Sequence, residues 1–331
     1  MRYESEEARQ IAYSAITAVG ANGAIAHSLT EAVLSAELAG SKAVGFAHLP
    51  DYLDGFLKGR ISVDAEPVIR FPVPAAITVD ARKGIAQLGF DQAFDELLTR
   101  AATYGVVVLT ISNSFTVGEL GYYTRRLAER GLVSIATCNA TAQMTTLESG
   151  KAVYGTNPVS FAAPVADGRP LVIDQASSAT AFVNVRNAAQ RNETIPEGWA
   201  VDQNGKPTTD AREAVKGLLV AFGGARGANI AMMMEILAAG VAGANWSMDA
   251  PSFAEGGASP GVGLFLVALK PEVFAPDFPA RLSTQLARLA DAGVRIPGSH
   301  IKVREIDVPS EVIDRVRGYA QWSQGDERRG R

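Results

Sequence analysis

Apolar positions along the chain follow two periods. In residues 6–20 (EEARQIAYSAITAVG) and 28–40 (SLTEAVLSAELAG) they recur every three to four residues in Ala-rich sequence, which predicts two helices. Ser28, with Glu31 three residues on, reads as the N-cap of the second helix, and Gly40 as its stop. Residues 74–81 (PAAITVDA) alternate like a half-buried strand. Short apolar runs at 106–112, 132–139, 159–166, 170–177 and 261–270 read as further strands, more deeply buried. Helical spacing returns at 90–105, 117–131 and 278–293, and again in a last helix for which Ser310, after Pro309, reads as the cap. Residues 195–214 are rich in Pro, Gly, Asn and Asp and read as turns and loop. Strands and helices are mixed without clean βαβ alternation, so the fold class is α/β.

Residues 228–245 (ANIAMMMEILAAGVAGAN) form the most apolar long window. Glu235 interrupts it, so a buried helix is expected and not a membrane span. The 331 residues are 47% hydrophobic, enough for one or two joined domains. A net charge of −4 gives no electrostatic ground for nucleic acid or an anionic membrane as partner. A single cysteine, Cys138, excludes an intrachain disulfide and fits a reducing, cytoplasmic compartment. The N-terminus is acidic and lacks the pattern of a secretory leader.

The chain has neither G-x-G-x-x-G after a strand, nor G-x-x-x-x-G-K-[ST], nor G-x-S-x-G. Its three histidines, His27, His48 and His300, are far apart, and no H-x-x-x-H or C-x-x-C pair exists, so no metal is expected. Three segments carry candidate chemistry. In residues 222–240, Gly223, Gly224 and Gly227 open a helix whose free N–H groups suit an anion, beside Arg226. The plain alternative is a tight turn with Arg226 in solvent. Residues 112–123 end a buried strand before a helix, where ligands favour such sheets; the plain alternative is a helix cap at Ser114 or Thr116. In residues 154–164, Thr156 offers a hydroxyl to a carboxylate ahead of Asn157-Pro158; the plain alternative is a structural turn.

Together, residues 49–61 (LPDYLDGFLKGRI), 154–164 (YGTNPVSFAAP), 172–178 (VIDQASS), 195–210 (IPEGWAVDQNGKPTTD) and 222–240 resemble the malate/L-lactate dehydrogenase family that is distinct from Rossmann-fold dehydrogenases. They occur in family order and span nearly the whole chain. The resemblance implies a non-Rossmann NAD(P)-binding central sheet with flanking helices over 73–274. It implies a helical segment, 1–72, packed with 275–325, and a homodimer as the active unit. It places the cofactor against Ser112, Asn113, Thr116, Val117, Gly118, Glu119 and Leu120. Further cofactor contacts fall at Asp174, Gln175, Ala176, Ser177 and Ser178, at Ala225 and Arg226, and at Arg295, Gly298 and His300. Thr156 takes the substrate carboxylate. The cofactor is NADPH or NADH, with NADPH favoured; a 2′-phosphate wants a cation, and Arg125, Arg126 and Arg295 are candidates.

The departures are concentrated in one motif. Most members carry Ser-His-Gly before L-P-x-Y, with Arg three residues after that Gly. Here the Ser and His positions are Ala43 and Val44, Gly45 is kept, and the Arg position is His48. The Asp that partners the family's His matches Asn184. The proton-donating set is therefore missing as a group. Ketone reduction needs a proton on the developing alkoxide, worth about 100-fold or more. A protonated cyclic imine already carries it. The expected function is NAD(P)H-dependent reduction of Δ1-pyrroline-2-carboxylate or Δ1-piperideine-2-carboxylate, with Thr156, Val44 and His48 at the substrate. Two alternatives stand beside it: a 2-hydroxy acid dehydrogenase in which His48, one helical turn from Val44, is the relocated acid, and a non-catalytic binding protein.

Overall fold

The computed structural model describes residues 2–166, 168–298 and 305–321. A two-stranded antiparallel sheet joins β1 (Arg2–Glu4) to β13 (Glu305–Asp307). The large sheet contains β2 (Val68–Val73), β3 (Ala76–Asp80), β4 (Val106–Ser114), β5 (Val133–Cys138), β7 (Val159–Ala163), β8 (Leu171–Gln175) and β12 (Val262–Leu269). Its order is β2-β3-β4-β12-β5-β7-β8. Only β3 and β4 run parallel; the other neighbours are antiparallel. A small sheet gathers β6 (Met144–Thr145), β9 (Ala200–Val201), β10 (Pro207–Thr208) and β11 (Leu218–Val220).

The centre of the large sheet is apolar on both faces. Val107, Leu109 and Ile111 of β4 meet Leu264, Leu266 and Ala268 of β12 in one core. Helices α4 (Ala86–Tyr104) and α5 (Leu120–Ala128) cover it. Gly105, at φ 76°, ends α4. The edge strand β2 carries Pro72, which its register shift between Arg70 and Val73 accommodates.

A second core unites α1 (Ser5–Ala18), α2 (Gly23–Ala39), α3 (Leu49–Leu57) and α10 (Ser310–Ala320) through Ile16, Ile25, Leu29, Leu53, Ile313 and Val316. Two caps differ from the sequence reading. Helix α2 begins at Gly23, because Asn22 Oδ1 accepts the Ile25 N–H; Ser28 lies inside the helix and donates to Asp91. Ser310 is the first residue of α10 and not its cap.

The segment 275–325 also divides. Helix α10 packs on α1, but α9 (Phe278–Asp291) has no buried residue, and its Ser283 Oγ accepts the Ala166 N–H. Residues 278–298 thus follow the β7–β8 connection and not the N-terminal helical layer.

The excursion at 195–214 is more ordered than turns alone. Besides β9 and β10 it starts α7 (Ala211–Lys216), capped by Asp210 Oδ1 on the Arg212 N–H at 2.8 Å. It packs with α6 (Phe182–Gln190) on a satellite core of Met144, Val185, Ile195 and Leu219. Helix α8 (Ala225–Glu235) runs into a π turn at Ile236–Val241. The expectation of a buried helix holds for one face only: Ala228, Ala231, Glu235, Ala238 and Ala239 are buried, while Met232, Met233, Ile236 and Val241 are exposed. Among the described residues, no helix is long and apolar enough to cross a membrane.

Candidate active site

The segment ahead of α3 is set by a buried carboxyl group. Glu37 of α2 lies under the turn, and its Oε1 accepts the Phe46 N–H at 2.8 Å. A Cβ on Gly45 would meet the same oxygen at 2.5 Å, so a larger residue there would have to displace the Glu37 carboxyl. Burial pushes the Glu37 carboxyl up to about 7. Lys42–Val44 form one 3₁₀ turn, and Gly45 breaks it at φ −92° and ψ −131°. His48 then stands at the N-terminal boundary of α3, with Pro50 in its first turn. Val44 and His48 are therefore not on one helix. The one-turn relation expected from their spacing is overturned by the break at Gly45.

His48 is held on every side. Its Nδ1 lies 2.8 Å from Asp51 Oδ2, and its Nε2 lies 3.0 Å from Thr116 Oγ1. A carboxylate only accepts, so Nδ1 carries a proton. The rings of Tyr52 and Phe253 meet the imidazole edge to face, at 5.0 and 5.3 Å. Tyr52 OH donates to Thr116 O at 3.0 Å and accepts from Gln87 Nε2 at 3.2 Å. Gln87 Nε2 and Tyr123 OH both donate to Val117 O. The loop between β4 and α5 is thus pinned to α3 and α4 by buried hydrogen bonds.

That loop holds the first group of expected cofactor contacts. Ser112 closes the β3–β4 pairing, and Asn113 is left-handed at φ 56°. Gly118, at φ 75°, turns the chain toward Glu119, which precedes Leu120 and α5. Neither Ser114 nor Thr116 caps α5. Asp174 of β8 accepts the Gly121 N–H at 2.7 Å instead. Burial, and then repulsion from Glu119, lifts the Asp174 carboxyl to about 6. The residue as a whole is solvent-exposed, which tempers the desolvation while the repulsion acts in the same direction. Glu119 is buried and pairs with Arg125 Nη2 at 2.7 Å.

The second and third groups are joined to Thr156. Ser177 N–H donates to Thr156 O at 2.8 Å, and Ser177 Oγ to Asn157 O at 2.7 Å. Phe222 N–H donates to Ser177 O at 3.0 Å, and Ser178 bridges Ala221. The end of β8, with exposed Gln175 and half-buried Ala176, therefore abuts the glycine turn. Asn157, left-handed at φ 34° and fully buried, donates to Ala231 O and to Glu235 Oε2. Glu235 also accepts the N–H and Oγ–H of Ser247. Glu235 was legible only as one charge in an apolar window; its role as the anchor of Asn157 was not.

The glycine turn suits a phosphate. Gly223 and Gly224 are left-handed, at φ 59° and 62°, with open space where a Cβ would stand. They open α8 with exposed backbone at Ala225 and Arg226. Arg226 is exposed and its side chain makes no hydrogen bond or ion pair among the described residues. Free amides, a helix N-terminus and an unpaired guanidinium all favour a bound anion. Of the cations considered for a 2′-phosphate, Arg125 already faces Glu119 and Arg126 already faces Asp91. Arg295 is exposed. Gly298 approaches the backbone of Val172 in β8, and His300 lies outside the described residues.

Asn184 is exposed and donates to Thr180 Oγ1 at 3.0 Å. The carboxylate beside the histidine of this site is Asp51, not a residue at position 184. Nothing in the sequence singled out Asp51 except its spacing of three from His48. A cavity of about 790 Å³ between α2, α4 and α5 is walled by Ser35, Arg125 and Arg126, away from His48 and Thr156. Among the described residues no cluster of His, Cys, Asp and Glu is arranged to hold a metal.

The mixed sheet carries an exposed phosphate-type turn at one strand end. Residues 3–307 match the malate/L-lactate dehydrogenase family. The (2R)-3-sulfolactate dehydrogenase (NADP(+)) of Chromohalobacter salexigens is 36% identical over 322 residues, covering 95% of this chain and 96% of its own. The Δ1-pyrroline-2-carboxylate reductase of Pseudomonas fluorescens is 30% identical over 325 residues, covering 95% and 97%. The crystal structure of Δ1-piperideine-2-carboxylate reductase from Pseudomonas syringae superposes with a TM-score of 0.89 at 29% identity, over 96% of this chain and 99% of that one. The chain belongs to the malate/L-lactate dehydrogenase family and is an NAD(P)-dependent oxidoreductase.

Proposed function

We propose that the protein reduces a cyclic imino acid, Δ1-pyrroline-2-carboxylate or Δ1-piperideine-2-carboxylate, to L-proline or L-pipecolate with NADPH. One observation carries this reading. The turn where relatives of this family are expected to hold Ser and His presents Ala43 and Val44. No acid is available from that turn, and a protonated imine needs none. The reduced nicotinamide, when bound, supplies hydride to the imine carbon. The chain's own residues position and desolvate: Thr156 and His48 take the carboxylate, Ser177 and Asn157 hold Thr156, and the 112–120 loop, the end of β8, the glycine turn and Arg295 cradle the cofactor. Curated relatives named as pyrroline- and piperideine-2-carboxylate reductases support it. The test is NADPH oxidation with both imines beside pyruvate, oxaloacetate and 3-sulfopyruvate. Faster turnover of any keto acid overturns the reading.

A second reading, 2-hydroxy acid oxidation and keto acid reduction, is favoured by two facts. His48 has its own carboxylate partner in Asp51, as a relocated acid would, and a sulfolactate dehydrogenase is among the similar proteins. In that case Asn184 contributes nothing to proton transfer. We further propose a cytoplasmic homodimer, with a second copy covering the exposed Met232, Met233, Ile236 and Val241 face. Light scattering that returns a monomer mass overturns that part.

A further inference from the structure

We propose that Asp51 is a positioning residue that makes His48 a stand-in for a guanidinium, so that carboxylate affinity at this site is gated by pH. The inference rests on the reading of His48 as a substrate-carboxylate contact. An arginine at position 48 would be cationic at every working pH. A histidine is cationic only when protonated, and then both ring nitrogens are donors. The structure supplies what that substitution needs. Asp51 Oδ2, 2.8 Å from Nδ1, opposes the imidazolium charge and fixes which nitrogen stays protonated. Nε2 is left pointing at Thr116 Oγ1, 3.0 Å away, in the loop before α5. That bond is weak enough to exchange for an incoming carboxylate oxygen, which binds a cationic donor more strongly than a neutral hydroxyl does.

Asp51 occupies the third position of α3, where an acidic side chain ordinarily turns back to the N-terminal backbone. Here it turns to the imidazole instead, and α3 has no side-chain cap from His48. The contacts facing His48 come from three elements: Asp51 and Tyr52 of α3, Thr116 of the loop after β4, and Phe253 of the loop before β12. Of these only Asp51 brings a carboxyl group. The side chain of His48 is 12% exposed and that of Asp51 33% exposed. The pair is therefore shielded on the histidine side and open to proton exchange on the other.

The test uses the full-length enzyme. Asp51→Asn keeps the shape and a hydrogen-bond acceptor but removes the charge. The expected result is a rise in KM of about tenfold at pH 8 with kcat changed less than about twofold. His48→Arg should make KM flat with pH, and Asp51→Asn placed on that background should then cost less than about threefold. In ¹⁵N spectra of histidine-labelled enzyme, His48, assigned by His48→Gln, should show the Nδ1–H tautomer above neutrality and lose that preference in Asp51→Asn. An unmoved KM profile overturns the proposal. So does an effect confined to kcat, which would make His48 the acid of the second reading. Imino and keto acids both carry the carboxylate, so the variants are read on whichever substrate the wild type turns over. A keto acid preference would then remove the imine reading without touching this one.

Discussion

Replacing Glu37 by glutamine tests how the turn that presents His48 is built. Glu37 is 6% exposed, and its Oε2 has no hydrogen-bond partner. Burial is the main cause of its lift from 4.5 to about 7; the Phe46 N–H and Lys42 oppose it. At about 1.4 kcal/mol per pH unit, holding the carboxyl at about 7 in the fold against 4.5 in the open chain corresponds to about 3 kcal/mol. The sign follows from proton binding. Below pH 4.5 the group is protonated in both states and costs nothing. Between 4.5 and about 7 the unfolded chain ionises while the folded one keeps its proton, so stability falls as pH rises. Above about 7 the loss is complete. Glutamine keeps an oxygen for Phe46 and cannot ionise. The stability of Glu37→Gln relative to wild type should therefore rise by about 3 kcal/mol between pH 4.5 and pH 8. Any fixed cost of the amide is present at both ends and cancels in the difference. Urea unfolding of both proteins at pH 4.5, 6 and 8 gives the measurement. A stability difference that does not move with pH would mean that the Glu37 carboxyl is not lifted by burial.

Three other substitutions follow from the same geometry. In Gly155→Ala the new Cβ would stand 2.7 Å from Ala140 N and 2.8 Å from its O. Because both are backbone atoms, a loss of about 1–3 kcal/mol is expected in urea unfolding, with a raised KM as Thr156 shifts. Tyr52→Phe removes the hydroxyl that bonds Thr116 O and Gln87, and about 1–2 kcal/mol of stability should go with it; an unchanged denaturation midpoint would count against the pinned loop. Arg226→Ala removes an exposed side chain with no partner among the described residues. Folding should be unaffected, while NADPH binding by fluorescence titration weakens about tenfold, the scale of one charge-assisted hydrogen bond.

The strands of the large sheet were legible because their apolar runs are bounded by Gly and Pro. The reading at 106–112 became Val106–Ser114, and that at 261–270 became Val262–Leu269. The edge strand Val68–Val73 was not seen: it is half exposed and holds Pro72, so its pattern lacks both burial and period. Two-residue strands such as Met144–Thr145 carry no periodic signal at all. Local propensity also misplaced a cap. Ser28 followed by Glu31 has the form of a capping box, but Asn22 starts the helix earlier. In the candidate site, Thr156, the 112–120 loop and the glycine turn were named from motifs. Glu37 and Gln87 were not, because each acts through a buried contact, and Asp51 was not, because an acid three residues from a histidine near a helix start is too common a spacing to mark a pair. His48 to Thr116 spans 68 positions, and no spacing rule reaches across that distance.

This site is proposed to reduce a substrate that brings its own proton, and rebuilding the missing donor probes that proposal. The double substitution Ala43→Ser and Val44→His restores the residues expected at that turn. Wild type should prefer the cyclic imine over pyruvate in kcat/KM. The double variant should gain about 100-fold on the keto acid while its imine activity changes by no more than a few-fold. An equal gain on both substrates, or a wild type already faster on the keto acid, contradicts the proposal.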